Sequence, residues 1–176
     1  NPISKANVGE EEALKNYLEK TQPPVPVKIA PLPPKKTNEI KRKAKYGWKD
    51  NKVIKDEPII GKIIQAESSG NAATPDSPKG ARGLMQIMKN TAEKDTGYGV
   101  NYNLSYDELF DPVKNVKYGA DYFKGLKKSF GNDRDALIAY NWGPGNAKDW
   151  LKKGGELRKL PKETRNYVKK ILGSGK

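Results

Sequence analysis

The stretch Glu57-Pro58-Ile59-Ile60-Gly61-Lys62-Ile63-Ile64-Gln65-Ala66-Glu67-Ser68-Ser69-Gly70-Asn71 decides how this chain is read. Ile60, Ile63 and Ile64 recur at i, i+3 and i+4, the stripe of an amphipathic helix that faces a core. The next position on that face, i+7, is Glu67, where an apolar residue belongs. A carboxyl group turned toward a core loses hydration, and its pKa rises. One that stays protonated near neutral pH is equipped to act as a general acid. Asp56 can cap this helix, with Pro58 in its first turn, and Ser68-Ser69-Gly70-Asn71 ends it. Glu67 is therefore expected at the floor of a cleft rather than in mid-core. The plain alternative is a last-turn Glu that rotates to water, with Gly70 no more than a C-cap.

Downstream the pattern stays helical. Asp111-Pro112 repeats the start signal and opens a helix with Val116, Ala120, Phe123 and Phe130 on one face. Asn132-Asp133 caps a shorter helix that ends at Asn141-Trp142-Gly143-Pro144, and Pro161 opens the last one, with Tyr167, Val168 and Ile171 facing inward. No alternating strand pattern stands out, and the glycines and prolines near 70–84 allow a short hairpin. The fold class expected is mainly α with at most a small β-hairpin. Upstream, residues 9–20 can form a short helix with Leu14, Tyr17 and Leu18 on one side. Residues 22–34 hold six prolines and read as extended, polyproline-like chain, and a run of lysines and Arg42 follows. Residues 1–50 thus read as a Pro-rich basic arm or linker, and 51–176 as the folded domain.

The segment Glu67-Ser68-Ser69-Gly70-Asn71, then Ser77-Pro78-Lys79-Gly80-Ala81-Arg82-Gly83-Leu84-Met85-Gln86-Ile87-Met88, then Thr91-Ala92, resembles the active-site region of the soluble lytic transglycosylases. Three later blocks match in the expected order. Asn115-Val116 with Gly119 and Tyr122 is similar to the family's "N-I-x-x-G-x-x-Y" helix, and Ala139-Tyr140-Asn141-Trp142-Gly143-Pro144-Gly145 to its "A-Y-N-x-G-P-G" block. Leu160-Pro161-Lys162-Glu163-Thr164-Arg165-Asn166-Tyr167-Val168 is similar to its closing segment. The resemblance covers residues 57–172 and implies a goose-type-lysozyme-like fold. It also implies cleavage of peptidoglycan between N-acetylmuramic acid and N-acetylglucosamine. Three departures stand out: the spacer from Glu67 to Ser77 is slightly long and contains Asp76, Lys89 replaces a frequent Pro, and Trp142 replaces a small residue.

Composition narrows the chemistry. Among 176 residues, 34 Lys and Arg outnumber 21 Asp and Glu, which suits an anionic polymer such as nucleic acid, anionic lipid or cell wall. The excess is spread out: residues 1–57 hold 13 basic and 8 acidic side chains, so no part is a dedicated polycation. The absence of Cys excludes disulfides and thiolate metal sites. The absence of His removes Ser-His and Cys-His machinery and His-ligated zinc. No run of about 18 apolar residues offers a membrane span. No signal peptide is visible, so delivery by a virion or secretion apparatus, or loss of a leader, is expected.

Glycan cleavage requires a proton on the leaving oxygen and stabilisation of an oxocarbenium-like centre. The resemblance implies that Glu67 first gives that proton and then takes one from the C6 hydroxyl of the same muramic acid, which closes a 1,6-anhydro ring. No metal or cofactor is needed. By the same carry-over, Ser77 and Gln86 contact sugar or acetamide, and Tyr140 reaches toward Glu67 or the substrate acetamide with Asn141 beside it. Met85 and Met88 give apolar surface near the acid, and Glu163 and Tyr167 close the cleft. Loop capping for Ser77 and core packing for the methionines and Tyr140 are the structural alternatives. The expected partner is the peptidoglycan strand, and the arm could reach a virion or secretion-apparatus protein. Three competing readings stay open: a hydrolytic muramidase in which Asp76 holds a water, a non-catalytic glycan-binding module, and a nucleic-acid binder using the basic, aromatic stretch Lys41–Trp48.

Overall fold

The structure, a computed structural model, describes residues 47–94 and 96–173. The expected helix over 9–20, the proline-rich stretch and the basic run to Lys45 lie outside the described residues. Seven α-helices and one two-stranded hairpin are described: α1 (Lys52–Asp56), α2 (Pro58–Ser68), β1 (Ala81–Arg82), β2 (Ile87–Met88), α3 (Lys89–Glu93), α4 (Pro112–Phe130), α5 (Asp133–Trp142), α6 (Pro144–Lys152) and α7 (Lys162–Leu172). The chain is mainly helical, as expected. None of these helices is long and apolar enough to cross a membrane.

The central element is α4. Asp111 caps it by accepting from the amides of Val113 and Lys114, Pro112 occupies its first turn, and Gly131 ends it in the left-handed conformation. Its buried stripe includes Val116, Ala120, Phe123 and Leu126, all fully excluded from solvent. α5 packs on α4 and also against α6 and α7, and α7 in turn packs on α2. Ile60, Ile63 and Ile64 of α2 are fully buried, as their spacing requires.

Two local expectations need correction. Asp56 does not cap α2; it is the last residue of α1 and pairs with Lys52 at 2.7 Å. Glu57 occupies the N-cap position and makes no side-chain capping bond. The hairpin forms later than 70–84 suggested, pairing Ala81 with Met88 and Arg82 with Ile87. Residues 71–80 form turns, closed by backbone bonds such as Ser77 amide to Ala81 carbonyl and braced by side chains: Asn71 accepts from the Ala73 amide, and the Ser77 hydroxyl from the Ala81 amide.

Asn115 of α4 fixes the hairpin. Its side chain is fully buried, accepts from the Met85 amide at 2.8 Å, and donates to the carbonyls of Arg82 and Leu109 at 2.9 and 3.0 Å. Gly83 beside it has φ +79°, and a Cβ there would fall 2.1 Å from the Asn115 amide nitrogen. One turn further along α4, Gly119 leaves room for Met85, whose sulfur lies 2.5 Å from where a Cβ would stand. Ser68 closes the other side by donating to the Leu84 carbonyl at 2.8 Å. Trp48 packs on the core rather than ending the arm, and its indole donates to the Gly70 carbonyl at 3.0 Å.

Candidate active site

The last turn of α2 delivers Glu67 to the edge of the core, half-buried beyond Ile60, Ile63 and Ile64. Burial is the main reason its pKa is pushed up to about 7. Two groups on α7 oppose the rise, the Tyr167 hydroxyl and the Lys170 ammonium, while the Glu163 carboxylate adds to it. Lys170 was not singled out from sequence. It lies three residues beyond Tyr167, on the same side of a helix, and its Nζ donates to the Ala66 carbonyl at 3.3 Å. Ser69, just past Glu67, has φ 54°, so the chain turns away sharply and leaves the acid at a helix end.

Two tyrosines face this carboxyl. Burial, and then the nearby Glu67, holds the phenols of both Tyr140 and Tyr167 well above their ordinary pKa, so both stay protonated donors. The Tyr140 hydroxyl donates to the Met85 carbonyl at 2.8 Å, and its ring packs 5.7 Å from Tyr122 and 6.3 Å from Phe123. The Tyr167 hydroxyl is buried and has no hydrogen-bonding partner in good geometry among the described residues.

Tyr140 also links the acid to a cleft of about 240 Å³ lined by Gln86, Met88, Tyr122, Tyr140, Asn141 and Trp142, among others. Four residues singled out from sequence thus share one cleft. Gln86 adopts φ 48°, which is unusual for a side-chain-bearing residue, and its amide donates back to the Gly83 carbonyl at 3.0 Å. Met88 is exposed on the cleft, whereas Met85 is fully buried beneath it. Glu163 lies exposed at the start of α7. Ser77 is not among the cleft-lining residues; its hydroxyl accepts from the Ala81 amide and caps the loop.

Asp76 is engaged elsewhere. Both its oxygens are held by the Arg82 guanidinium, at 2.9 and 2.6 Å, and the Tyr106 hydroxyl donates to it at 3.0 Å. These bonds hold its carboxyl below the usual range, with the Arg82 bond foremost. The guanidinium itself stacks 3.5 Å from the Tyr106 ring and 3.8 Å from Phe110. The slightly long loop is thereby anchored to the 3₁₀ turn Tyr106–Phe110.

The raised pKa of Glu67 has a consequence for stability. Unfolded, its carboxyl ionises near the ordinary value of 4.5; folded, it holds its proton to about 7. The group costs nothing at pH below its unfolded pKa, and the folded state loses ground as pH rises through the window between the two values. The penalty at about pH 8 is on the order of 3 kcal/mol. Glu67→Gln, neutral throughout, is expected to match wild type in urea unfolding at about pH 4 and exceed it at about pH 8. Equal stabilities at both pH values would show an acid with an ordinary pKa.

Comparison with known proteins identifies the family. The family described as Transglycosylase SLT domain matches residues 46–161. The soluble lytic murein transglycosylase of Escherichia coli K12 is 37% identical over 120 residues, covering 62% of this chain and 18% of that protein. Membrane-bound lytic murein transglycosylase C of Edwardsiella ictaluri is 36% identical over 101 residues, covering 52% of this chain and 28% of its own length. The crystal structure of the 70 kDa soluble lytic transglycosylase from Escherichia coli superimposes with a TM-score of 0.56 at 34% identity, covering 65% of this chain and 20% of that one. The chain therefore spans only a small part of these relatives, and the family match over residues 46–161 includes Glu67, the hairpin and Tyr140. By that match the chain belongs to the transglycosylase SLT domain family.

Proposed function

We propose that this domain is a peptidoglycan lytic transglycosylase that cleaves the β-1,4 bond between N-acetylmuramic acid and N-acetylglucosamine, with Glu67 as acid and then base. The observation that carries this reading is a carboxyl group pushed up to about 7 by burial, beside a cleft lined with polar and aromatic side chains. Glu67 protonates the bridging oxygen as the bond from C1 to that oxygen breaks. The muramic acid's C6 hydroxyl then attacks C1 and returns its proton to Glu67. The product is a 1,6-anhydro ring, no water is consumed, and the acid is regenerated. The attack is intramolecular and gains from proximity, with the substrate's own acetamide assisting at C1.

Each surrounding group has a task in this scheme. Tyr167 is a buried, protonated donor that faces Glu67, and it tightens onto the Glu67 carboxylate formed after proton transfer. Lys170 favours that same carboxylate, which keeps the acid willing to release its proton. Gln86 and Asn141 offer amides to sugar hydroxyl or acetamide groups. The hydrolytic alternative requires a second carboxylate to hold a water. Asp76 is committed to Arg82 and Tyr106, and this favours the route without water.

Mass spectrometry of fragments released from purified peptidoglycan tests the reading. Anhydro-muramic ends are the expected result. Reducing ends, heavier by a water, would make the enzyme a muramidase, and no release at all would leave a binding module. On this reading the domain acts at the cell wall, where its substrate lies. Carriage of the domain by a virion or secretion-apparatus protein through the N-terminal arm is a companion proposal; absence of the protein from purified virions would overturn its phage form.

A further inference from the structure

Trp142 is the least explained large side chain of the cleft. It is the last residue of α5, and the following Gly143 has φ 95°, so the chain changes direction there. Its backbone is pinned: the Gly143 amide donates to the Ala139 carbonyl at 2.9 Å, and the Trp142 carbonyl accepts from the Asn146 side chain at 2.8 Å. The indole is only partly buried, packing on the core on one side and lining the cleft with Met88 and Asn141 on the other.

The three tryptophans differ in how their N–H groups are used. The Trp48 indole donates to the Gly70 carbonyl at 3.0 Å and that of Trp150 to the Glu156 carbonyl at 2.9 Å. The Trp142 N–H donates to no group among the described residues, although its neighbour Asn146 is close enough to bond its backbone. A tryptophan that served only to fill the core would bring its N–H to an internal acceptor, as the other two do. Trp142 has a pinned backbone, a partly accessible ring on the cleft and an N–H that no described protein group takes up, so a ligand in the cleft can meet both ring and N–H.

The chemistry of the ligand follows from the walls. β-linked N-acetylated pyranoses of the gluco configuration carry their ring substituents equatorially, so each face of the ring is a flat patch of axial C–H groups with polar groups around the rim. An indole covers such a face, and an N–H at its edge meets a rim hydroxyl. Exposed Met88 offers further apolar surface, while Gln86 and Asn141 offer rim partners. The cleft, at about 240 Å³, has room for about one such ring.

We propose that Trp142 is a specificity-determining wall of this cleft, holding one N-acetylated sugar ring of the glycan by its indole face and its N–H. This rests on the glycan-cleaving reading above. Trp142 binds substrate and takes no part in proton transfer, and it therefore acts on binding rather than on the bond-breaking step.

The test uses the full chain with Glu67→Gln, titrated with a soluble β-1,4-linked N-acetylglucosamine oligomer, and active enzyme on purified peptidoglycan. Trp142→Ala is expected to weaken oligomer binding by about 10-fold and to raise KM by a similar factor, with kcat changed less than about threefold. Trp142→Phe, which keeps the platform and loses the N–H, is expected to recover most of the binding. The oligomer should shift tryptophan emission in Glu67→Gln and not when Trp142→Phe is added. Oligomer binding by Trp142→Ala within about twofold of its parent, or a loss confined to kcat, would overturn the proposal. Should Trp142→Ala fail to fold, an unchanged emission of Trp142-containing protein on saturation with oligomer overturns it equally. Fragment release abolished by Glu67→Gln but indifferent to Trp142 would remove this inference and leave the enzyme reading standing; no release and no oligomer binding by any form would remove both.

Discussion

Replacing Glu67 by Gln is expected to slow release of peptidoglycan fragments by about 10²–10⁴-fold while leaving the fold intact. The substitution is nearly isosteric and removes only the dissociable proton. It does not disturb Ile60, Ile63 or Ile64, which bury the helix independently of the acid. Nor does it open a buried ion pair at mildly acid pH, where an acid with a pKa of about 7 is largely protonated. A structural role would show as lost stability; the folded state should instead gain at alkaline pH, as worked out above. For the wild type, release should decline as pH rises through about 7, because the ionised acid has no proton to give. The Gln variant's residual rate should be flat across the same range. Release within about tenfold of wild type would remove Glu67 as the proton donor.

How far this site was legible depended on how local each determinant is. The acid was legible because one helix supplies both the apolar stripe and its exception, Glu67. The starts of α4 and α5 were legible because Asp111, Pro112 and Asn132 act within a few residues. Asp56 misled because Asn51 starts a separate turn of helix just upstream, accepting from the Val53 amide, and that turn absorbs Asp56 at its end. The hairpin register was not legible because strands of two residues carry no alternation. It is set by Asn115, 30 residues past Met85. The fate of Asp76 likewise depends on the Arg82 guanidinium, which is held between two rings that come from a different turn. Lys170 escaped because only the docking of α7 on α2 brings it to the acid, and a lysine in a last helical turn reads as ordinary surface.

Asn115→Ala is expected to destabilise the domain by roughly 3–5 kcal/mol, the largest loss for any single polar side chain in it. The side chain is fully buried and all three of its hydrogen bonds end on backbone, at Met85, Arg82 and Leu109. Truncation leaves one amide and two carbonyls without their partner at a site buried from solvent. Each such orphaned group costs about 1–3 kcal/mol. Asn115→Asp should do nearly as badly, because it keeps the acceptor for Met85, loses both donors and buries a charge. Activity should fall further than stability alone predicts. The Met85 carbonyl that receives the Tyr140 hydroxyl, and Gln86 and Met88 at the cleft, all hang on the hairpin that Asn115 holds. Urea unfolding of both variants, with fragment release measured where each is still folded, separates the two effects. A loss under about 1 kcal/mol would mean that the hairpin is held without Asn115, by Ser68 and the Arg82 cluster alone.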